Sequence, residues 1–398
     1  MALVALQPGA SLNLDHALQR AAGGCGISRE EAVLLLDHAA TGDLLSLASA
    51  LRQKFRGNII SYSRKVFIPL THLCRDYCGY CTFRADPRPG VTPYMLPEEV
   101  LAVAEAGRRA GCKEALFSLG DQPERVFPEA KAFLKSMGFD RTLEYLAAMC
   151  ELVLEKTGLL PHSNPGLMPR EDLGRLRETN VSVGLMFEAA STRLLRPGGS
   201  HWNAPDKVPL LRLRTIENAG ELSIAFTTGI LIGIGETIEE RVDALLMIRS
   251  VHEKYGHIQE VIIQPFRAKP DIRMADSPEP PKEHLQRTIA VARLILGGDV
   301  NIQSPPNLLS KDYPELLNAG INDWGGVSPV TKDFINPEAA WPQISVLAAR
   351  TASGGFVLRE RLAIYPEFSS RPEFVSDRLQ PHLQKIRSED GYARNNQC

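Results

Sequence analysis

Beyond about residue 60 the chain alternates between two hydrophobic rhythms. Short apolar runs of strand length, rich in β-branched and aromatic residues, fall at 66–70, 115–119, 159–163, 181–187, 224–232, 261–264, 300–302 and, more weakly, 321–324. The segments between them carry helical spacing. One opens on Pro97-Glu98-Glu99 and places Val100, Val103, Ala104 and Gly107 on one face. Another repeats Ile238, Val242, Leu245, Ile248 and Val251 at intervals of three and four. Continuously apolar strands separated by amphipathic helices call for a parallel sheet buried on both faces. Eight such units predict an α/β fold, a closed (β/α)8 barrel of the TIM type, with an open doubly wound sheet as the alternative.

The two ends read differently. Residues 1–60 form a predicted helical extension. Ser28 to Glu31 has the form of a capping box, and Asp43 is a candidate cap for the apolar run 44–51. Residues 61–335 hold the barrel pattern. From about Asn336 it breaks into a Pro-rich stretch, one helix and a polar tail, so 336–398 is expected to wrap the barrel and fray at its end.

Composition adds limits. With 398 residues, 44% hydrophobic and 23% charged, the chain can bury a large core. A formal net charge of -2 and the lack of a Lys/Arg run give no electrostatic footprint for nucleic acid or an anionic membrane. No stretch has the roughly 20 apolar residues that span a bilayer, and the start has no basic segment of a signal peptide, so a cytoplasmic location is expected.

The cysteines change the picture most. Of seven, three are spaced Cys74-x3-Cys78-x2-Cys81, poor geometry for a disulfide framework and good geometry for metal. The loop that carries them follows the first predicted strand, at the carboxyl end where parallel-strand enzymes build their sites. Three thiolates hold three irons of a cubane cluster and leave the fourth open. A structural zinc site normally wants four ligands, and a ferredoxin-type cluster a fourth nearby cysteine. Neither requirement is met in the neighbouring sequence. Cys25, Cys112, Cys150 and Cys398 are scattered and read as ordinary small apolar or terminal positions.

With Tyr80 as the aromatic residue before the last cysteine, the loop resembles that of the radical S-adenosylmethionine (SAM) superfamily. The resemblance implies one 4Fe-4S cluster whose open iron chelates SAM, reductive cleavage of the sulfonium, and a 5'-deoxyadenosyl radical that abstracts a substrate hydrogen. It also implies SAM contacts in order along the barrel. These are Gly120, Asp121 and Glu124 after the second strand, Glu188 after the fourth, and Gly229, Leu231, Gly233 and Glu236 after the fifth. From its residue type alone, Glu188 is equally consistent with a surface salt bridge.

Within the superfamily, Cys74 to Phe83, Leu119 to Glu124, Ser163 to Gly166, Pro205 to Lys207, Phe226 to Thr237 and Asp323 to Thr331 resemble the CofG-type subunit of FO synthase. Gln122 and Phe187 depart from that pattern. The resemblance implies closure of a deazaflavin ring, giving 7,8-didemethyl-8-hydroxy-5-deazariboflavin (FO) with release of ammonia. The substrate would be the tyrosine-derived hydroxybenzyl adduct of 5-amino-6-ribitylaminouracil. A separate CofH-type partner would supply that adduct, and a flavodoxin or ferredoxin the electrons. The alternatives are the tyrosine-adding partner itself, another radical SAM enzyme, an iron-sulfur carrier, or a zinc-stabilised binding module. Ser163, Asn164, Gln264 and Asp323, at strand ends, are candidate substrate contacts, and His162 and Asp323 candidate proton-transfer groups. Trp324 reads as core or as a stacking ring; Arg193, Arg196, Arg212 and Arg214 read as solvated helix faces.

Overall fold

A computed structural model describes residues 13–23, 26–309 and 312–394; Cys25, Cys398 and the last residues of the tail lie outside them. Eight parallel strands close on themselves: β1 (Ile59–Thr71), β2 (Glu114–Leu119), β3 (Leu160–Asn164), β4 (Ser182–Gly184), β5 (Phe226–Ile232), β6 (Ile258–Pro265), β7 (Asn301–Gln303) and β8 (Asp323–Val327). They pair in sequence order, and β1 hydrogen-bonds both β2 and β8, which completes the barrel. The fold class is therefore the (β/α)8 barrel.

Strand β1 shows how the pattern is built. Val66, Ile68 and Leu70 are fully buried in the apolar core with the surrounding helices, whereas Lys65 and Phe67 alternate with them and line the lumen. The predicted run at 66–70 is only the upper half of this 13-residue strand, because the polar stretch Ser61 to Lys65 faces partners that are themselves polar.

The N-terminal helices Arg29–His38 and Thr41–Arg56 pack on the barrel helices Ile238–Tyr255 and Lys282–Leu296 and share their hydrophobic core. The capping box of Ser28 and Glu31 is present. Asp43 is not a cap: the helix starts two residues earlier, and Asp43 sits in its first turn.

The C-terminal segment does more than wrap. After the helix Ile344–Ser353, a ninth strand, β9 (Val357–Arg361), pairs in parallel with the start of β1. Leu362 to Tyr365 then cross the lower end of the barrel and bury against Leu160, Val181 and Ala225.

Candidate active site

A single cavity of about 360 Å³ occupies the barrel lumen and its upper mouth. The strand register stacks its lining in layers. Lys65 on β1 is level with Glu114 on β2, and Phe67 above it with Leu116; on β5 and β6, Thr227 pairs with Glu260 below the Leu231 and Gln264 pair. The lowest layer is charged, the middle apolar, and the mouth holds the cysteines.

The loop after β1 brings Cys74, Cys78 and Cys81 to one wall of this cavity. It is pinned on several sides. Tyr77 N donates to Asn203 O (2.9 Å), Gly79 N to Ser200 O (2.6 Å), and Met274 N to Gly79 O (3.0 Å). The Arg75 guanidinium forks onto both oxygens of Asp206. Cys74 Sγ accepts the backbone N–H of Asp121 (3.2 Å) and of Asp76 (3.4 Å). Gly120 is what permits this approach: a Cβ there would lie 1.9 Å from Leu73 O and 2.6 Å from Cys74 Cβ. Burial, then the charge of Asp76, push the Cys74 thiol up to about 12, and burial raises Cys78 further. Thiolates here need a cation to offset that cost, as iron would.

Two charged features flank the loop. Asp76, Asp121 and Asp206 each bring a carboxylate oxygen within 4.8 Å of the others. Asp121 Oδ2 accepts from Leu167 N (3.0 Å), while its Oδ1 is buried without a partner. Burial, then Asp206 and Asp76, raise the Asp121 carboxyl, so this corner suits a positively charged group. The second feature is Glu188, whose left-handed φ of 69° is strained for a residue with a side chain. Lys207 Nζ donates to its Oε1 (2.7 Å). Burial opposes ionisation of Glu188, but Lys207 and Arg212 outweigh it and hold the carboxyl below its usual range. A ligand with an ammonium and hydroxyl groups, such as SAM, fits a mouth with three thiols, an orphaned carboxylate oxygen and an ionised acceptor.

Of the sequence-predicted positions, Tyr80, Gly120, Asp121, Glu188, Leu231, His162, Asn164 and Gln264 line the cavity with the cysteines. Six others do not. Glu124 accepts from Thr142 Oγ1 (2.6 Å) and N (3.3 Å), fastening the start of the helix Thr142–Thr157. Gly229 lies against β6, where a Cβ would meet Ile262 O at 2.2 Å. Gly233 turns the chain at φ 86°, and its N–H donates to Glu236, whose carboxylate also pairs with Arg241 (2.6 Å). Glu236 thus braces the turn after β5. Ser163 faces outward to Asn180 (2.7 Å), because successive strand residues alternate and His162 takes the lumen side. Asp323 is fully buried beneath the cavity, in a salt bridge with Arg361 (2.7 Å), and is not part of its lining. Trp324 is core, donating to Thr351 Oγ1 (3.0 Å).

His162 contacts Ser182 Oγ (2.6 Å) and Asn164 Oδ1 (3.0 Å), and burial lowers its pKa to about 4, so the ring is neutral near pH 7. Sequence reasoning missed Lys65, Glu114, Glu260, Gln303 and Arg361 on the lumen floor, and Phe67 with Trp341, stacked at 5.4 Å on the wall. A charge inside an otherwise apolar parallel strand, as at Glu260, was the available signal. Arg212 is buried, not solvated. It donates to Met186 O (2.7 Å) and Asp206 O (3.1 Å), tying the Glu188 strand end to the acidic corner.

Residues 68–248 match the family described as the Radical SAM superfamily. The chain is 50% identical over 336 residues to the 7,8-didemethyl-8-hydroxy-5-deazariboflavin synthase of Methanopyrus kandleri, covering 84% of this chain and 100% of that protein. It is 48% identical over 396 residues to the FO synthase of Streptomyces coelicolor, covering 96% of this chain and 46% of that one. It is also 46% identical over 391 residues to the FO synthase of Mycobacterium tuberculosis, covering 93% and 45%. The chain spans about half the length of these FO synthases. Among solved structures, HydG, a maturase of the [FeFe]-hydrogenase, superposes with a TM-score of 0.72 at 16% identity, over 92% of this chain and 78% of that one. Methylornithine synthase (PylB) gives 0.67 at 18% identity, over 86% and 97%. Both share the fold. With full coverage of a relative at 50% identity and the cysteine loop at the barrel mouth, the chain belongs to the FO synthase family of the radical SAM superfamily.

Proposed function

We propose that this chain closes the deazaflavin ring of FO, oxidising the hydroxybenzyl adduct of 5-amino-6-ribitylaminouracil with loss of ammonia. One observation carries the reading. A relative named for 7,8-didemethyl-8-hydroxy-5-deazariboflavin synthesis is matched over its whole length by a chain with a single Cys-x3-Cys-x2-Cys loop. The chain spans about half the length of the FO synthases it matches, and a CofH-type radical SAM enzyme is the proposed source of the adduct.

Cys74, Cys78 and Cys81 would ligate a 4Fe-4S cluster, and SAM would sit between that loop, the Asp121 corner and Glu188. When bound, cluster and SAM supply an electron and a carbon-centred radical that abstracts hydrogen. The chain's own residues do the rest. Gly120 lets the second strand's end close on Cys74. Asp121 receives a cationic group, Glu188 accepts from hydroxyls, and Lys207 keeps Glu188 ionised. Tyr80 and Leu231 give the pocket an apolar side, and the barrel walls exclude water from a reactive radical. His162 is a neutral group within reach of the lumen and a candidate for moving a proton as ammonia leaves. A flavodoxin or ferredoxin is the expected class of electron donor.

The test is anaerobic cluster reconstitution followed by SAM, reductant and the adduct. The expected products are 5'-deoxyadenosine and a fluorescent deazaflavin. Intact SAM would overturn the enzyme reading, and SAM cleavage without deazaflavin would overturn the ring-closing role.

A further inference from the structure

The floor of the barrel is built against the ordinary logic of the fold. The lumen of such barrels is normally filled by layers of branched apolar side chains. Here Lys65, Glu114, His162, Thr227, Glu260 and Arg361 face the cavity from its lowest layer, all of them buried. Burying such groups costs free energy that a layer of Val, Ile and Leu would not, so stability does not explain them.

Neighbouring strands make room for these side chains. A Cβ at Gly326 would lie 2.1 Å from Lys65 Cε, one at Gly325 2.2 Å from Gln303 Nε2, and one at Gly184 2.1 Å from Asn164 Oδ1. Strands β4 and β8 thus forgo side chains where long polar groups reach across them.

The charges on the floor are already matched. Lys65 Nζ lies 2.7 Å from Glu114 Oε1, and Arg361 pairs with Glu260 (2.9 Å) and Asp323 (2.7 Å). Carboxylates outnumber cations among these five groups, so a phosphate or carboxylate would meet no free cation and a surplus of negative charge. Hydrogen-bonding capacity remains: ammonium and guanidinium protons, carboxylate lone pairs and the Gln303 amide. Above this floor lie Leu116, Ile262 and the Phe67 and Trp341 stack, a flat apolar layer suited to an aromatic ring. The mouth with the cysteines comes last.

We propose that this floor receives the uncharged polyhydroxyl end of the substrate, its ribityl chain, holding the aromatic portion beside Phe67 and Trp341 below the cysteine loop. Phosphorylated forms are excluded. The inference rests on the ring-closing reading for the identity of the substrate, but its binding order can be tested apart from turnover.

The experiment uses the reconstituted holoenzyme with three probes: the ribityl adduct, its 5'-phosphate ester, and an analogue with ethyl in place of ribityl. Binding is read by anaerobic equilibrium dialysis and turnover by deazaflavin fluorescence. Loss of matched hydrogen bonds, or an added unpaired charge, should weaken the ethyl and phosphate probes at least ~10-fold. Gln303→Leu and Lys65→Met should raise KM for the ribityl adduct about 10-fold, more than they lower kcat, and should erase most of the preference for ribityl over ethyl. A phosphate ester bound as tightly as the ribityl adduct would overturn the proposal, as would a full ribityl preference in both variants. The wild-type comparison decides even if a variant fails to fold. Wild-type binding with these preferences but no deazaflavin would sink the ring-closing reading and leave the floor assignment standing. Deazaflavin formed equally from all three probes would do the reverse.

Discussion

Replacing Arg361 with Met is the sharpest test of how the C-terminal segment holds the barrel. Arg361 ends β9, is 2% exposed, and donates from Nε to Asp323 Oδ2 (2.7 Å) and from Nη2 to Asp323 Oδ1 (3.0 Å) and Glu260 Oε1 (2.9 Å). Its removal leaves two buried carboxylates facing each other, and breaking a buried pair from one side typically costs about 3–5 kcal/mol. Asp323 keeps the N–H of Gly325 and the hydroxyl of Ser61, and Glu260 keeps Thr227 Oγ1 (3.0 Å) and Tyr365 Oη (3.1 Å). These donors offset part of the loss, so the lower end, ~3 kcal/mol, is expected. The exposed pairs of Arg378 with Glu151 and Glu155 set the contrast, since Arg378→Met should cost less than about 1 kcal/mol. Urea unfolding at pH 7 measures both. The deficit should also depend on pH with a definite sign. Burial already raises the Glu260 carboxyl and Arg361 opposes that shift; in the variant the opposition is gone, so the folded state is favoured by protonation. The deficit is therefore smallest at low pH and grows as pH rises through the carboxylate range. A loss below ~1 kcal/mol at pH 7, or a deficit that grows on acidification, would refute the argument.

Other expectations follow from the same geometry. Gly120→Ala drives a methyl group into Leu73 O and Cys74, so iron and sulfide content after reconstitution should fall as far as in Cys74→Ser, whereas Cys150→Ser, buried beside Ser163 and Asn180, should retain its iron. Glu188→Gln should raise KM for SAM about 10-fold through lost charge-assisted hydrogen bonds. Glu236→Gln, braced to Arg241 away from the cavity, should instead lower the melting temperature with little change in that KM. His162 and His257 are depressed by burial to about 4 and about 3, so the unfolded chain protonates first. Stability should then be lost as pH falls below about 6.5, each histidine adding up to ~1.4 kcal/mol per pH unit, and His257→Gln should flatten the urea-measured slope by up to one proton.

Much of this protein is legible along the chain. Strand and helix periods of the barrel are local, and the spacing of Cys74, Cys78 and Cys81 after the first apolar strand marked them as one group at the barrel mouth. Motif order also located Asp121, Glu188 and Leu231 at that mouth. Gly229, Gly233 and Glu236, expected from the same motifs, lie outside the cavity lining, packed against β6 or shaping the turn after β5. In a linear pattern, a glycine or carboxylate that shapes a turn cannot be told from one that meets a ligand.

What the tertiary structure decided are the pairings between distant segments. Lys65 with Glu114, Lys207 with Glu188, and Arg361 with Glu260 and Asp323 join residues on separate strands and loops. Lys65, Glu114, Lys207 and Arg361 read alone as ordinary charged surface residues. Only closing the barrel, and threading β9 beneath it, removes water from these groups and makes their partners matter, because burial turns a weak exposed attraction into an obligatory match. Local periodicity and cysteine spacing determined what kind of protein this is. The shape and polarity of its reaction chamber were decided by which side chains the closed barrel forces to share a space without water.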